Sequence, residues 1–84
     1  MAWAVEFELA ALKELSRLDR SAQVRIWDFL HERVAKLDDP RSIGDAMRGE
    51  FIGFWKFRVG PYRILAEIMD ERILVLVATI GHQS

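Results

Sequence analysis

Hydrophobic and polar residues alternate at the start of the chain and then change to a helical period. In Trp3–Phe7 every second residue is large and apolar, the pattern of a strand with one buried face. We therefore predict a first strand there. The apolar residues that follow recur at the spacing of an amphipathic helix and predict a short first helix, through Leu9, Leu12, Leu15 and Leu18.

A longer helix is predicted over Arg20–Leu37. Asp19 can act as its N-cap, and Asp39-Pro40 ends it because the residue before a proline is pushed out of helical geometry. Trp27 widens the apolar surface of this helix, and we expect its side chain to lie in the core rather than at a docking surface. The main apolar stripe consists of Ile26, Leu30, Val34 and Leu37.

The second half of the chain predicts a loop followed by three strands. Arg41–Glu50 contains two glycines and no clear period, which is typical of a loop. Strands are predicted at Phe54–Val59, Tyr62–Met69 and Ile73–Ile80, with a turn at Gly60-Pro61 between the first two. The last strand is apolar on both sides, which indicates either a central place in the sheet or a face covered by a partner chain.

This order of elements predicts an α+β fold. We expect a two-helix hairpin packed on one face of a four-stranded, mainly antiparallel sheet, in the order β-α-α-β-β-β. A chain of 84 residues has room for one hydrophobic core. We therefore expect residues 1–84 to form a single domain.

Composition and charge narrow the class of protein. The chain has no cysteine, its N-terminus lacks the features of a signal peptide, and its longest apolar run is far shorter than a membrane helix of ~20 residues. We therefore expect a soluble protein of the reducing cytoplasm. The net charge is −1, but the segment from Arg41 to Arg63 has five basic and two acidic residues, a local charge of +3. Such a patch suits a small anionic target or one docking site.

Three basic side chains are predicted to lie together on the hairpin. Lys56 and Arg58 share a face because strand side chains alternate, and the turn brings Arg63 beside Arg58. Trp55 belongs to the opposite face and is predicted to pack in the core. Like charges side by side cost stability, so the cluster favours an anionic partner. Ordinary solvated charges on a sheet surface would give the same pattern.

The cluster suits phosphodiester chemistry. Cleavage of RNA through its own 2′-hydroxyl needs a base, cations for the charged transition state and an acid for the leaving oxygen. The three basic residues could supply the cations, and Lys56 is also a candidate for proton transfer. The two histidines, His31 and His82, are far apart in sequence, and the glycines lack the spacing of a phosphate loop. We expect no metal and no cofactor.

Several segments together resemble one known family. They are LKELSRLDR before the long helix, MRGEF at Met47–Phe51, WKFRVGPYRIL at Trp55–Leu65, an acidic turn at Asp70-Glu71 and a terminal Gly81-His82. In these the chain resembles the RelE/ParE superfamily, the toxins of bacterial type II toxin–antitoxin modules. The resemblance covers nearly the whole chain, and the order of elements agrees with the fold of that superfamily. FRVGPYRI followed by Gly81-His82 is closer to the RelE-like branch.

The resemblance implies a function and a set of site residues. RelE-like toxins are ribosome-dependent endoribonucleases that cut messenger RNA in the ribosomal A site, and an antitoxin whose helix wraps the toxin neutralises each of them. By resemblance, Lys56, Arg58 and Arg63 are catalytic, with Arg63 stabilising the transition state, and His82 is a further catalytic candidate. The apolar surfaces around the helices and Ile73–Ile80 would receive the antitoxin.

The end of the chain departs from the family pattern. Gln83 stands where family members commonly have an arginine, and the tyrosine that follows it in the family is not among the 84 residues. A trimmed chain, a weakly active or inactive toxin, and a relative with another activity all fit this departure. The main alternative is therefore a ParE-like inhibitor of DNA gyrase that binds but catalyses nothing. Another is a toxin that only binds its antitoxin.

Overall fold

Two α-helices and five strands make up the computed structural model, which describes residues 2–82. The predicted α+β class is confirmed, although the sheet has five strands rather than four. The additional strand is a two-residue segment inside the predicted loop Arg41–Glu50. In chain order the elements are β1 (Ala4–Phe7), α1 (Leu9–Ser16), α2 (Arg20–Asp28), β2 (Asp45–Ala46), β3 (Trp55–Val59), β4 (Tyr62–Met69) and β5 (Leu74–His82).

The sheet has the strand order β1-β5-β4-β3-β2. β1 runs parallel to β5, and the other three pairs are antiparallel. β5 therefore lies between two strands, which is the central position that its two-sided apolar pattern indicated. Beyond the end of β1, the carboxylate of Glu14 in α1 accepts a hydrogen bond of 2.9 Å from the Ile80 backbone N–H.

A two-residue turn at Gly60-Pro61 joins β3 to β4, as predicted. Gly60 has φ +55°, and a glycine with positive φ before a proline is typical of a type II′ turn, which suits the twist of a hairpin. The turn makes Val59 and Tyr62 the first paired residues of the hairpin, so Arg58 lies directly opposite Arg63.

The long predicted helix is regular only in its first half. Its start is confirmed, because the Asp19 side chain accepts a hydrogen bond of 3.3 Å from the Ala22 N–H. After α2 the backbone widens into a π-helical turn over Phe29–Arg33 and then tightens into a 3₁₀ turn over Val34–Lys36. A π turn holds an extra residue, and both Val34 and Ala35 are buried at its end.

The core lies between the two helices and one face of the sheet. Phe57 is its largest fully buried side chain, and the ring of Phe29 meets the Phe57 ring edge-on at 6.4 Å between centroids. Buried residues from both layers complete this core: Ala11, Leu15, Ile26, Leu30, Val34, Val59, Ile64, Ala66, Val75, Val77 and Ile80. Trp55 is half-buried and packs against this cluster from the side, in partial agreement with its predicted core position.

Trp27 does not lie in the core, so that prediction is wrong. Its side chain is 47% exposed and is sandwiched between Phe7 and His31, with ring centroids at 5.6 Å and 4.1 Å respectively. The next residue back, Ile26, is fully buried, and one step along a helix turns the side chain by about 100°. The core-facing stripe is complete without Trp27, and the indole therefore stays on the outer side of α2.

Arg41 links the segment before β2 to the turn between β4 and β5 through hydrogen bonds. Its guanidinium makes two hydrogen bonds to the Asp70 carboxylate, at 3.1 and 2.8 Å, and a third to Asp39 at 3.1 Å. The hydrogen bonds to Asp70, opposed by burial and helped by Asp39, raise the pKa of Arg41 above its ordinary value. The guanidinium carbon also lies 5.8 Å from the ring centroid of Trp55.

Within residues 2–82, no helix has the length and the apolar character needed to cross a membrane.

We predict that position 44 requires glycine because the Phe57 ring leaves too little room for a Cβ atom there. A Cβ at Gly44 would lie 3.0 Å from Phe57 Cε1, while the Gly44 backbone is extended and accepts any residue. Gly44→Ala should lower the free energy of unfolding by about 1–3 kcal/mol through overpacking. In a Phe57→Leu background, which removes the close ring atoms, the same change should cost at least ~0.5 kcal/mol less. Urea denaturation of the four proteins of this cycle measures the difference.

Gly81→Ala is the matched control, because nothing lies within 4 Å of a Cβ placed there. We expect it to change the free energy of unfolding little in either background. An equal cost of Gly44→Ala with Phe57 and with Leu at that position would contradict the steric explanation.

Candidate functional site

Three cations lie on the face of the sheet opposite the core. Phe57 and Val59 are buried on the helix side, so alternation places Lys56 and Arg58 on the other side of β3. Arg63 joins them from β4 because it is paired with Arg58. The arginines are exposed and Lys56 is half-buried. We call this surface the cation face, and it brings together three of the four predicted site residues.

Arg58 and Arg63 approach each other closely because of the type of pair they form. The Phe54 carbonyl points toward β2, where it accepts a hydrogen bond from the Met47 N–H. Backbone N–H and C=O groups of a strand point to the same side at every second residue, so those of Arg58 also point away from β4. Arg58 and Arg63 are therefore a non-hydrogen-bonded pair, in which the Cα atoms are only about 4.5 Å apart. The two arginine side chains therefore leave the sheet from neighbouring positions on the same face.

Within the described part of the chain, one carboxylate lies within 4.0 Å of a basic group of the cation face. Arg58 Nε lies 3.9 Å from Oδ2 of Asp45, and both side chains are largely exposed, at 60% and 66%. Among the described residues, no salt bridge within 4.0 Å reaches Lys56 or Arg63. The face therefore offers cationic donors to an external anion.

His82 lies apart from the cation face. It is paired with Tyr62, and their ring centroids are 4.7 Å apart. Tyr62 is in turn paired with Val59, whose side chain is buried on the helix side, so alternation places His82 and Tyr62 on that side too. The catalytic roles of Lys56, Arg58, Arg63 and His82 remain predictions. Gln83, the departure from the family pattern, lies outside the described residues.

A cavity of about 280 Å³ opens at the outer edge of β3, beside the cation face. We call it the edge cavity, and sequence reasoning missed it. It is lined by Phe29, Arg33, Ile43, Asp45 and Arg58. These residues come from three separate segments of the chain. The sequence signal for the cavity is weak, because it consists only of Arg33 four residues after Phe29 on the predicted helix.

A second concave surface lies between α1 and α2. This helix groove has a volume of about 390 Å³ and is largely apolar, with polar residues at its rim. Trp27, for which we predicted a core position, lines this groove instead. The lining residues are Leu12, Leu15, Ser16, Arg20, Gln23, Val24, Trp27 and Asp28.

In the part of the chain that the structure describes, no group of three or more histidine, cysteine, aspartate or glutamate side chains could hold a metal ion. The two described histidines are engaged separately. His31 Nδ1 lies 3.0 Å from the Trp27 carbonyl oxygen, and His82 packs near Tyr62.

Comparison with known proteins identifies the family. A sequence profile of the family described as "ParE toxin of type II toxin-antitoxin system, parDE" matches residues 5–84. Toxin RelG of Mycobacterium tuberculosis is 26% identical over 84 residues, which cover 100% of this chain and 94% of RelG. The mRNA interferase toxin RelE of Escherichia coli is 29% identical over 82 residues, covering 96% of this chain and 83% of RelE.

Solved structures agree with the sequence comparison. A chain of the RelBE2 toxin–antitoxin complex from Mycobacterium tuberculosis superposes with a TM-score of 0.91 at 25% identity, covering 99% of this chain and 93% of that chain. The isolated Escherichia coli RelE toxin has the same fold, with a TM-score of 0.76 at 22% identity over 99% of this chain and 86% of that one. With a family profile that spans nearly all of its length, the chain belongs to the RelE/ParE superfamily of toxins from type II toxin–antitoxin systems.

Proposed function

We propose that this toxin, acting as a single domain over residues 1–84, is a ribosome-dependent messenger RNA endoribonuclease. The observation that carries the proposal is the cross-strand pair of the exposed Arg58 and Arg63, with Lys56 beside it, on the face of the sheet opposite the core. The names of similar proteins support the same activity, since RelE of Escherichia coli is called an mRNA interferase toxin.

The cation face fits the charge changes of RNA cleavage. The 2′-hydroxyl oxygen attacks the neighbouring phosphorus, a base removes its proton, and the bond to the 5′-oxygen breaks as that oxygen gains a proton. Negative charge builds on the phosphoryl oxygens in the transition state, where preorganised cationic donors are most effective. We assign that stabilisation to Arg63 and Arg58, and proton transfer at the 2′-oxygen to Lys56.

His82 is the less supported member of the proposed catalytic set. Its ring packs near Tyr62, and strand alternation puts it on the helix side of the sheet. A substrate that reaches round the end of the β3–β4 hairpin could meet both His82 and the arginine pair. We retain His82 as a candidate proton donor for the leaving 5′-oxygen on that basis.

A gyrase inhibitor of the ParE kind is the second candidate. It is favoured by the family profile, which describes a ParE toxin. Such a toxin would act by contact and need no transition-state chemistry, so its effect would not depend on Arg63 in particular. Inhibition of DNA supercoiling by purified gyrase distinguishes this candidate from RNA cleavage.

We further propose that the helix groove receives a helix of the cognate antitoxin. Solved relatives include toxin–antitoxin complexes, among them RelBE2 of Mycobacterium tuberculosis and RelBE of Escherichia coli. The groove is apolar and bordered by exposed side chains that include Leu12, Val24 and Trp27. An amphipathic helix laid into such a groove would bury these residues. β5 offers less apolar surface than its sequence indicated, because most of its side chains are buried within the chain.

Replacing Arg63 tests the proposed chemistry. Arg63→Ala removes one of the paired guanidinium groups and should slow cleavage of messenger RNA on programmed ribosomes by about 100-fold or more. Arg63→Lys, which keeps the charge but not the planar donor geometry, should retain an intermediate rate. Because Arg63 is exposed, both variants should remain folded, and Arg63→Ala also removes the repulsion from Arg58. Single-turnover rates measured by primer extension give the comparison.

Arg72→Ala is the matched control, since it removes the same charge from an exposed residue in the turn that follows the far end of β4. We expect it to cut at the parental rate. Equal rates for the parent and a folded Arg63→Ala variant would remove Arg63 from the mechanism.

The helix groove makes a separate prediction. Val24→Glu places a charge in the apolar wall, and we expect the affinity for the antitoxin of the same module to fall about tenfold or more, because the carboxylate must be desolvated. Ile52→Glu introduces the same charge at a side chain that is 77% exposed and lies outside the groove. That variant should bind as the parent does. Equal losses in both variants, measured by titration calorimetry, would show that the groove is not the docking site.

A further inference from the structure

The edge cavity is lined by both apolar and charged side chains. Phe29 and Ile43 supply the apolar part, and Arg33, Arg58 and Asp45 supply the charges. Its volume of about 280 Å³ is just below the range for small-molecule sites, about 300–1,000 Å³. A space of that size suits a single planar group with an attached anion rather than a large ligand.

The charges of the cavity do not cancel. Two arginines face one aspartate, which leaves a net positive charge along the lining. The contact between Arg58 and Asp45 involves Nε at 3.9 Å, so it does not engage the two terminal nitrogens of that guanidinium. Within residues 2–82, Arg33 forms no salt bridge closer than 4.0 Å. Both arginines can therefore direct donors at an anion.

The backbone explains why the cavity exists. Phe29 and Arg33 are the first and last residues of the π-helical turn, and turns of this kind occur frequently at functional sites. β2 pairs only with Trp55 and Lys56, so it ends before it reaches Arg58. The outer edge of β3 beside Arg58 is bordered by the cavity instead of a neighbouring strand.

Arg58 belongs to both the edge cavity and the cation face. It stands opposite Arg63 on the sheet, and it also lines the cavity with Arg33. The three arginines thus form a continuous basic track that crosses the edge of the sheet. A single-stranded polyanion that follows this track would meet successive cations, with the edge cavity beside one of them.

We propose that the edge cavity is a nucleotide subsite for single-stranded RNA. Arg33 and Arg58 hold a phosphate, and the attached base packs against Phe29 and Ile43, since base planes pack against aromatic and apolar side chains. This assignment rests on the proposed function, because it places in the cavity a nucleotide adjacent to the one that the cation face acts on. The subsite positions RNA and takes no part in the chemistry.

Two opposite charge changes test the subsite by binding alone. The probe is a fluorescein-labelled 2′-O-methyl RNA of about six nucleotides, a length within the site sizes of single-strand binders, which the 2′-hydroxyl mechanism cannot cut. Arg33→Ala should weaken its binding about three- to tenfold and reduce the slope of log affinity against log salt by about 0.7, the value for one phosphate contact. Asp45→Asn removes a like charge from the lining and should tighten binding about threefold.

Arg72→Ala again supplies the control for loss of one positive charge at a distance, and it should leave both affinity and salt slope near the parental values. Arg33→Gln serves as a second variant that keeps the length of the side chain. Thermal unfolding of each protein verifies the fold. Uridine monophosphate added to labelled parent protein should shift the NMR signals of the Ile43 methyl groups and the Phe29 ring.

The proposal is overturned if the parent does not bind the RNA, if Arg33→Ala and Arg72→Ala lose affinity equally, or if Asp45→Asn does not bind more tightly. Ribosome-dependent cleavage by the parent is measured in parallel. Binding with the predicted variant pattern but without cleavage would refute the proposed endoribonuclease while leaving the subsite in place. Cleavage with unchanged binding by Arg33→Ala would refute the subsite alone.

Discussion

The burial of Phe57 determines which side chains of β3 point outward from the sheet. Side chains alternate along a strand, and a slip of one residue would turn every side chain of β3 to the other face. Because Phe57 is fully buried beneath Gly44 and against Phe29, that slip would expose the largest side chain of the core. The same constraint that fixes the core therefore fixes the outward direction of Lys56 and Arg58.

The turn at Gly60-Pro61 extends this constraint to the neighbouring strand. It sets the register in which Arg58 faces Arg63, and a directly opposed pair of like charges is destabilising by a few tenths of a kcal/mol up to about 1 kcal/mol. The core supports this unfavourable pair, which has solvent on its outer side to reduce the repulsion. A face that concentrates positive charge in this way is better explained by an anionic partner than by folding.

Much of this arrangement could be predicted from the sequence, because it depends on local periodicity. Alternation identified the strand faces, the glycine and proline identified the hairpin, and Asp19 identified the start of α2. The predictions that failed concern positions whose placement depends on tertiary packing. The widened apolar surface of the helix favours a core position for Trp27, but the helix turns this side chain outward once Ile26 is buried.

The π-helical turn and the strand β2 were also missed, for the same reason. β2 has only two residues and takes its geometry from β3, and the π turn interrupts a segment whose apolar spacing still fits an α-helix. The edge cavity depends on both features, so no reading of one segment could reveal it. The placement of His82 beside Tyr62 likewise follows from strand register, including the irregularity between Leu65 and Ala66, which sequence alone does not give.

The surfaces proposed for the antitoxin and for RNA lie on different sides of the sheet. The helix groove lies between the two helices, the cation face is on the side of the sheet opposite the core, and the edge cavity opens at the outer edge of β3. A partner helix confined to the groove would leave the cations open. Neutralisation would therefore require a partner chain that continues round the sheet, in keeping with the wrapping antitoxins that the family resemblance implies.

The central claim is that the cation face cuts messenger RNA, and the most direct measurement is to map cleavage by the unaltered 84-residue chain on programmed ribosomes. Free messenger RNA and DNA supercoiling by gyrase are assayed with the same protein. We predict cuts within the A-site codon on ribosomes, little cleavage of free RNA and no effect on gyrase. Intact messenger RNA together with inhibited supercoiling would contradict it and would assign the toxin to the ParE-like mode of action.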